Sequence, residues 1–141
     1  MSAPVLAERL TRLGLRQALP ARLATTTAFV VAALPPWAIR AVLTVAVRGA
    51  RPAAAPDVLG WRTAVNSVSR RCAGQGCLQR SIAVVLLARL HGVAPAWKTG
   101  FRPDPFVAHA WVEVDGEPVG EPAAVAHFRA VLSVNPRPAR P

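Results

Sequence analysis

Two residues stand in local settings that favour nucleophilic chemistry, a cysteine before an apolar run and a histidine before a predicted hairpin. Cys77 begins a run that continues as Leu-Gln-Arg-Ser-Ile-Ala-Val-Val-Leu-Leu, and His109 begins the run His-Ala-Trp-Val-Glu-Val-Asp-Gly. A thiol at a helix N-terminus is exposed to the positive end of the helix dipole, which favours the thiolate. A neighbouring imidazole can take the thiol proton and later protonate a leaving amine. We therefore expect Cys77 to be a nucleophile and His109 its general base and acid.

The remaining cysteine and histidines are predicted to be structural. Cys72 lies five positions before Cys77 and lacks the apolar helical run. His91 falls at the end of a predicted helix, where a cation is favoured in any case, and His127 follows the core motifs. The two cysteines could bridge, but no secretory signal precedes them, so a reduced, cytoplasmic protein is expected. Because no paired zinc-type spacing occurs, we expect no metal and no cofactor.

The charge is strongly basic but dispersed. The chain has 141 residues and a net charge of +10, carried by sixteen Arg and one Lys. No block of five or six basic residues occurs, which argues against a nucleic-acid binder. Two interpretations stay open: a solvated basic surface, or an electrostatic preference for an acidic peptide or protein partner.

The segment 23–47 is mostly apolar, but Pro35-Pro36 break it and Arg40 follows these prolines within the segment. Neither half reaches the ~18–20 apolar residues of a spanning helix. The prolines instead predict two packed helices, Thr25–Leu34 and Trp37–Arg48. Association of 23–47 with a membrane surface stays open as an alternative.

The remaining patterns predict helices first and strands afterwards, which is an α+β fold. The predicted helices are Val5–Leu19, Val58–Arg71 with Asp57 as its cap, Cys77–His91 closed by Gly92, and Ala123–Leu132. The predicted strands are Ala96–Phe101, Phe106–Val114 and Glu117–Glu121, and the last two are joined by an Asp115-Gly116 hairpin turn.

Three motifs together carry a family resemblance. The runs Cys77–Ser81, Gly100–Arg102 and Pro105–Glu113, in this order and at this separation, resemble the lasso-peptide leader peptidases. These are small transglutaminase-like cysteine proteases of bacterial lasso-peptide biosynthesis. The similarity extends from about residue 58 to about residue 125.

The resemblance implies a fold, an activity and partners. It implies a papain/transglutaminase-like core over 57–132, with a catalytic helix packed on a small antiparallel sheet. The chain's own patterns predict an N-terminal helical region over 1–56 and a proline-rich tail over 133–141. The resemblance also implies removal of the leader peptide from a ribosomally made precursor. In that family a separate recognition protein binds the leader and delivers it. The expected partners are therefore the precursor leader peptide and a recognition protein of this kind. The lasso cyclase is a further candidate.

The resemblance also suggests the third catalytic group. The family normally has an Asp about a dozen residues after its His, and Glu121 stands at that distance here. A two-residue Asp115-Gly116 turn would pair Ala110 with Glu121 and point Glu121 away from the face of His109. We therefore expect a three-residue loop or a bulge. Glu113 shares the face of His109 but lies ~13 Å along the strand, which is too far.

An acyl-transfer site also needs donors for the oxyanion. The backbone amide of Cys77 is one candidate, and the side-chain amide of Gln75 is the second. Two other functions stay open. An acyltransferase would use the same Cys–His pair with an amine as acceptor, and the product mass would separate it from a peptidase. A non-enzymatic basic scaffold would bind an acidic partner, and its Cys77 would react no faster than a peptide thiol.

Overall fold

In the computed structural model, which describes residues 11–136, the helices precede the main antiparallel sheet. The helices are α1 (Leu15–Ala32), α2 (Pro36–Ala46), α3 (Ala55–Val68), α4 (Arg70–Ala73) and α5 (Cys77–Arg89). The strands are β1 (Arg51–Pro52), β2 (Val93–Ala94), β3 (Ala96–Pro103), β4 (Phe106–Val114), β5 (Glu117–Pro118) and β6 (Arg129–Val134). The predicted α+β class is confirmed.

Helix α1 is a single helix where the sequence predicted two. It begins at Leu15 and continues through Pro20 to Ala32. Of the predicted helix Val5–Leu19, residues 11–14 are not helical, and Leu15–Leu19 are the first residues of α1 and not a separate helix. The earlier part of that prediction lies outside the described residues. The side of α1 that packs against α5 and α3 is made of small residues, with Ala21, Ala24 and Ala28 buried. Small side chains allow close approach, and this packing offsets the hydrogen bond lost at Pro20.

The turn at Pro35-Pro36 forms as predicted. Helix α1 ends at Ala32 and α2 begins at Pro36, because proline has no amide hydrogen and suits a first helical position. Within residues 11–136, no helix combines the length and the apolar character that crossing a bilayer requires.

Helix α3 begins earlier than predicted, and Asp57 does not cap it. The N-cap is Ala54, in an extended conformation, and Pro56 occupies the first turn. Asp57 lies in the same turn, where its negative charge complements the helix dipole. The chain leaves the helix at Ser69, whose hydroxyl accepts a hydrogen bond from the Cys72 amide across the short helix α4.

Helix α5 is the centre of the molecule. It begins at Cys77, as predicted, and ends at Arg89, with Gly92 in a left-handed conformation (φ 77°) after it. Its middle turn, Ile82–Val85, is buried on all sides because α1 and α3 pack on it from one direction and the sheet from another. Trp97 on β3 donates to the hydroxyl of Ser81 at 3.0 Å and ties the sheet to the helix.

The main sheet has the strand order β5-β4-β3-β6 and is antiparallel throughout. Strands β1 and β2 form a separate parallel pair. The predicted helix Ala123–Leu132 was wrong, because only a 3₁₀ turn forms at Ala123–His127 before β6 begins. Pairing with β3 overrides the helical preference of this alanine-containing segment. Ser133 and Val134, placed in the tail by the sequence, belong to β6.

The hairpin turn contains two residues, so the predicted three-residue loop or bulge was wrong. Asp115 (φ 53°) and Gly116 (φ 80°) both have positive φ, which is the type I′ geometry that suits a right-twisted hairpin. The return strand pairs only Glu117 and Pro118 with β4, and it ends before the predicted Glu121.

Candidate active site

The tight entry into α5 places Cys77 at the first position of the helix. The amide of Gly76 donates to the carbonyl of Arg71 at 2.7 Å, and a Cβ on Gly76 would lie 2.7 Å from the same oxygen. Only glycine fits this approach. The first backbone hydrogen bond of the helix runs from Arg80 N–H to the Gly76 carbonyl. The amide of Cys77 is therefore not used within the helix and points toward the space in front of it.

Strand β4 brings His109 to this helix terminus. Its Nε2 lies 2.8 Å from Oε2 of Glu121, which fixes one side of the ring. Its Nδ1 is buried and makes no hydrogen bond within residues 11–136, while the electrostatics of the site couple the ring to the Cys77 thiol. The structure therefore aligns thiol, imidazole and carboxylate, the three groups singled out in the sequence.

Glu121 reaches His109 by a route that the strand register alone does not predict. After β5, the Val119 amide still donates to the Val112 carbonyl at 3.0 Å, so the two strands remain in register to that point. Gly120 then adopts φ 71°, a left-handed conformation that turns the chain out of the strand. This turn removes the parity obstacle, and Glu121 faces the imidazole despite the short hairpin.

Arg62 on α3 completes the site and was missed in the sequence. Its Nη1 lies 2.9 Å from Oε1 of Glu121, and the two side chains are only 6% and 2% exposed. A buried charge needs a partner. The signal was available: Val58, Arg62 and Val65 follow helical spacing on one face, so an arginine lies on an otherwise apolar, inward side of the helix.

The electrostatics of the site favour a thiolate and an imidazolium. Burial alone would lower the pKa of His109, but hydrogen bonds to Cys77 and Glu121 and their negative charges raise that pKa from 6.5 to about 9. Burial would raise the pKa of Cys77, yet the hydrogen bonds from His109 and the Ala110 amide, with the charges of His109 and Arg80, lower it below 9.0. The two groups titrate as a pair.

Interactions of the same kind keep the carboxylate of Glu121 ionised. Burial would raise the pKa of Glu121, but the hydrogen bond from His109 and the positive charges of Arg62, His109 and Arg80 bring the pKa below 4.5. Both carboxylate oxygens are engaged, one by the imidazole and one by the guanidinium. Glu121 is therefore fixed in orientation as well as in charge.

Two aromatic rings hold the imidazole from its sides. Trp111 stacks on His109 with ring centroids 6.1 Å apart and an interplanar angle of 11°, and Phe128 contacts it edge-on at 5.9 Å. The indole nitrogen of Trp111 donates to Glu113 at 3.0 Å, and Lys98 forms an ion pair with the same carboxylate. Glu113 thus positions Trp111 and makes no contact with the His109 ring.

Cys72 and His91 have other surroundings, and Gln75 lies just before α5. Gln75 is exposed in the turn before α5, and its role as an oxyanion donor stays a prediction. Cys72 is buried and free. The ring of His91 stacks on that of Trp61 with centroids 5.0 Å apart, and its Nδ1 is hydrogen-bonded to the Leu87 carbonyl. Among the described residues, His, Cys, Asp and Glu side chains do not gather in threes that could hold a metal ion.

An apolar cleft of about 360 Å³ borders the thiol and the imidazole. A nucleophile at a helix start, oriented by an imidazole and a carboxylate beside a cleft, is the arrangement of Cys–His–carboxylate thiol enzymes. The comparison with known families agrees. The family model of the transglutaminase-like superfamily matches residues 21–133, and the chain belongs to this superfamily.

Members of the transglutaminase-like superfamily are typically peptidases or acyltransferases with a Cys, a His and an Asp or Glu. No curated protein and no solved structure matches the chain.

Proposed function

We propose that the protein is a cysteine peptidase that removes the leader peptide from a lasso-peptide precursor in the cytoplasm. The observation that carries the proposal is the aligned set of Cys77, His109 and Glu121 beside an open cleft. The resemblance of the flanking motifs to the leader peptidases supports the substrate class, and membership of the superfamily supports the chemistry.

In the proposed mechanism, the Cys77 thiolate attacks the scissile carbonyl and forms a tetrahedral oxyanion. The backbone amide of Cys77 donates to this oxyanion, because it is unused within the helix. The protonated His109 gives its Nδ1 proton to the leaving amine, and a thioester remains on Cys77. His109 then takes a proton from water, which attacks the thioester and releases the second fragment.

Glu121 and Arg62 act through His109 in this scheme. The carboxylate stabilises the imidazolium that exists before the amine leaves, and its contact with Nε2 fixes the orientation of the ring. Arg62 is a positioning residue, because its ion pair holds Glu121 ionised and in place.

Delivery of the precursor by a separate recognition protein is part of the proposal. The N-terminal helices exceed what the catalytic groups need, and α2 exposes apolar side chains, with Trp37 at 74% and Val45 at 59%. Delivery replaces a weak encounter by a tethered one, so the recognition protein should raise kcat/KM by on the order of 10²-fold or more. Undiminished cleavage by the isolated enzyme at low precursor concentration would contradict this role.

The test is an assay with the precursor and recognition protein encoded by neighbouring genes. Mass spectrometry should show two fragments whose masses sum to that of the precursor plus one water. A product joined to an added amine would identify the acyltransferase alternative, which the superfamily also contains. Intact precursor, with folded enzyme and recognition protein present, would contradict the proposed function.

A further inference from the structure

The outer edge of β4 carries unpaired backbone groups beside the thiol. The Val119 amide donates to the Val112 carbonyl, so the backbone groups of Val112 point away from β3. In an extended strand, every second residue points the same way. Ala110, Ala108 and Phe106 therefore face outward as well. The position of the Ala110 amide, within hydrogen-bonding reach of Cys77 Sγ, agrees with this parity.

Within residues 11–136, no strand pairs with this edge beyond Val112. Strand β5 covers only Glu113 and Val114, and the chain then turns away at Gly120. Ala108 is exposed on the edge, and its N–H and carbonyl are directed outward. Unpaired edges are ready templates for an added strand. Here the template starts beside the nucleophile, and Ala110, Ala108 and Phe106 of the same strand also line the cleft.

The cleft beside this edge is apolar. Its side walls include Leu78 at the start of α5, the stacked rings of Phe101 and Phe106, and Val131 on β6. Among the described residues that line it, the Cys77 thiolate and His109 are the charged groups. A volume of about 360 Å³ lies at the small end of ligand pockets, and it suits one or two side chains of an extended segment. An unpaired charge placed there would lose hydration without gaining a partner.

We infer that the substrate binds as an extended strand added to the edge of β4 at Ala108 and Phe106, with an uncharged, apolar side chain next to the scissile bond in the cleft. Backbone pairing supplies affinity and the cleft supplies selection, as in other strand-addition sites. Neighbouring strands lie ~4.8 Å apart, so the added chain passes close to Sγ. A helical substrate segment is excluded, because its backbone groups are already paired. The inference rests on the proposed function and specifies its substrate.

Peptide aldehydes test the inference without the natural precursor. N-acetyl tetrapeptide aldehydes that carry Leu, Asp or Lys at one of the two positions nearest the aldehyde would be titrated against the wild-type protein. The aldehyde adds reversibly to Cys77, and competition with iodoacetamide alkylation measures its affinity. At one of these positions we expect Leu to bind on the order of 30-fold more tightly than Asp or Lys. If the Leu, Asp and Lys peptides bound with equal affinity at both positions, the proposal of an apolar subsite would be wrong.

A charge variant sharpens the side-chain test. Val131→Arg places a cation at the cleft, and Val131 is 64% exposed, so folding should be preserved. In this variant, the affinity ratio of the Leu aldehyde to the Asp aldehyde should fall by about 10-fold, because the new cation attracts Asp. The affinity ratio of the Leu aldehyde to the Lys aldehyde should stay high. Val45→Arg on α2 is the matched control, because this exposed residue does not line the cleft. An identical change in both variants would contradict the location.

N-methylation of each peptide amide in turn tests the pairing. Alternate amides should be sensitive, with losses of roughly 3- to 10-fold or more each, because one side of an added strand faces β4 and the other faces solvent. If N-methylation of no amide weakened binding, or if none of the aldehydes bound, the proposal that the substrate adds as a strand to β4 would be wrong. Period-two sensitivity in a protein that leaves the precursor intact would uphold the strand and refute only the leader-peptidase function.

Discussion

The two cysteines of this chain lie five residues apart, and their surroundings shift their thiol pKa values in opposite directions. Burial raises the pKa of Cys72, and its hydrogen bond with Ser69 and the charges of Arg80 and Arg71 do not compensate. Burial also acts on Cys77, but His109, the Ala110 amide and Arg80 outweigh it and lower the pKa. Arg80 influences both thiols, so the difference comes from the imidazole and the strand edge. The lowered pKa of Cys77 therefore depends on the imidazole and the backbone amide that β4 places at the start of α5.

The largest expected effect comes from removing each thiol. Cys77→Ala should lower kcat/KM for precursor cleavage by at least about 10⁴-fold, because no other group forms the thioester. Cys72→Ala should keep most of the activity, with only a modest loss of stability from a small cavity. Equal loss in both variants, with both folded by circular dichroism, would show that the two cysteines act together.

The carboxylate comes next. Glu121→Gln should reduce kcat by roughly 10- to 1000-fold, because it keeps the size of the side chain but removes the charge that stabilises the imidazolium. Glu113→Gln is the matched control and should be mild, since Glu113 contacts Trp111 and Lys98 and not the imidazole. The reverse order of effects would show that the wrong carboxylate was assigned.

Arg62→Met should lower kcat by about 10-fold and move the acid limb of the pH–kcat/KM profile to higher pH. Arg62 lowers the pKa of Glu121, so its removal makes the carboxylate easier to protonate. Arg62→Lys should restore part of the limb because it restores the charge. Arg51→Met, at an exposed position, is the control. An unshifted limb in a folded Arg62→Met protein would reduce Arg62 to a structural role.

The smallest effect is expected at the turn that delivers Glu121. Gly120→Ala should destabilise the fold by about 1–2 kcal/mol and lower activity several-fold, because alanine resists a left-handed conformation. Its Cβ would also lie 2.6 Å from Cδ of Arg62. Gly60→Ala in α3 is the control, with no atom near its Cβ, and should be stabilising by roughly 0.5–1 kcal/mol in thermal unfolding. Equal stability changes at both glycines would contradict the role of the turn.

The parts of this site that the sequence predicts are those encoded locally. The start of α5 at Cys77, the strand that carries His109 and the Asp115-Gly116 turn follow from nearby periodicity and turn residues. The ion pair of Arg62 with Glu121 joins residues 59 apart, so no local pattern reveals its partner. Local propensity also favours a helix where β6 forms, and only the edge of β3 explains the strand.

The route of Glu121 shows how one residue can defeat a correct geometric rule. The parity argument for a two-residue hairpin holds up to Val119, where the register continues. It fails at Gly120, whose positive φ was not foreseen because glycine is compatible with either sign.

The most direct test of the thiolate–imidazolium pair is the pH dependence of alkylation at each cysteine. Iodoacetamide rates would be measured separately for Cys77 and Cys72 by peptide mass spectrometry across pH 4–10. We expect Cys77 to be alkylated at pH values well below those at which an ordinary thiol reacts, because its pKa is lowered. Its alkylation rate should change again near pH 9, where His109 loses its proton. Cys72 should be slow throughout, because it is buried and its pKa is raised. A Cys77 rate that follows the profile of a free peptide thiol, unchanged by His109→Ala, would contradict the account.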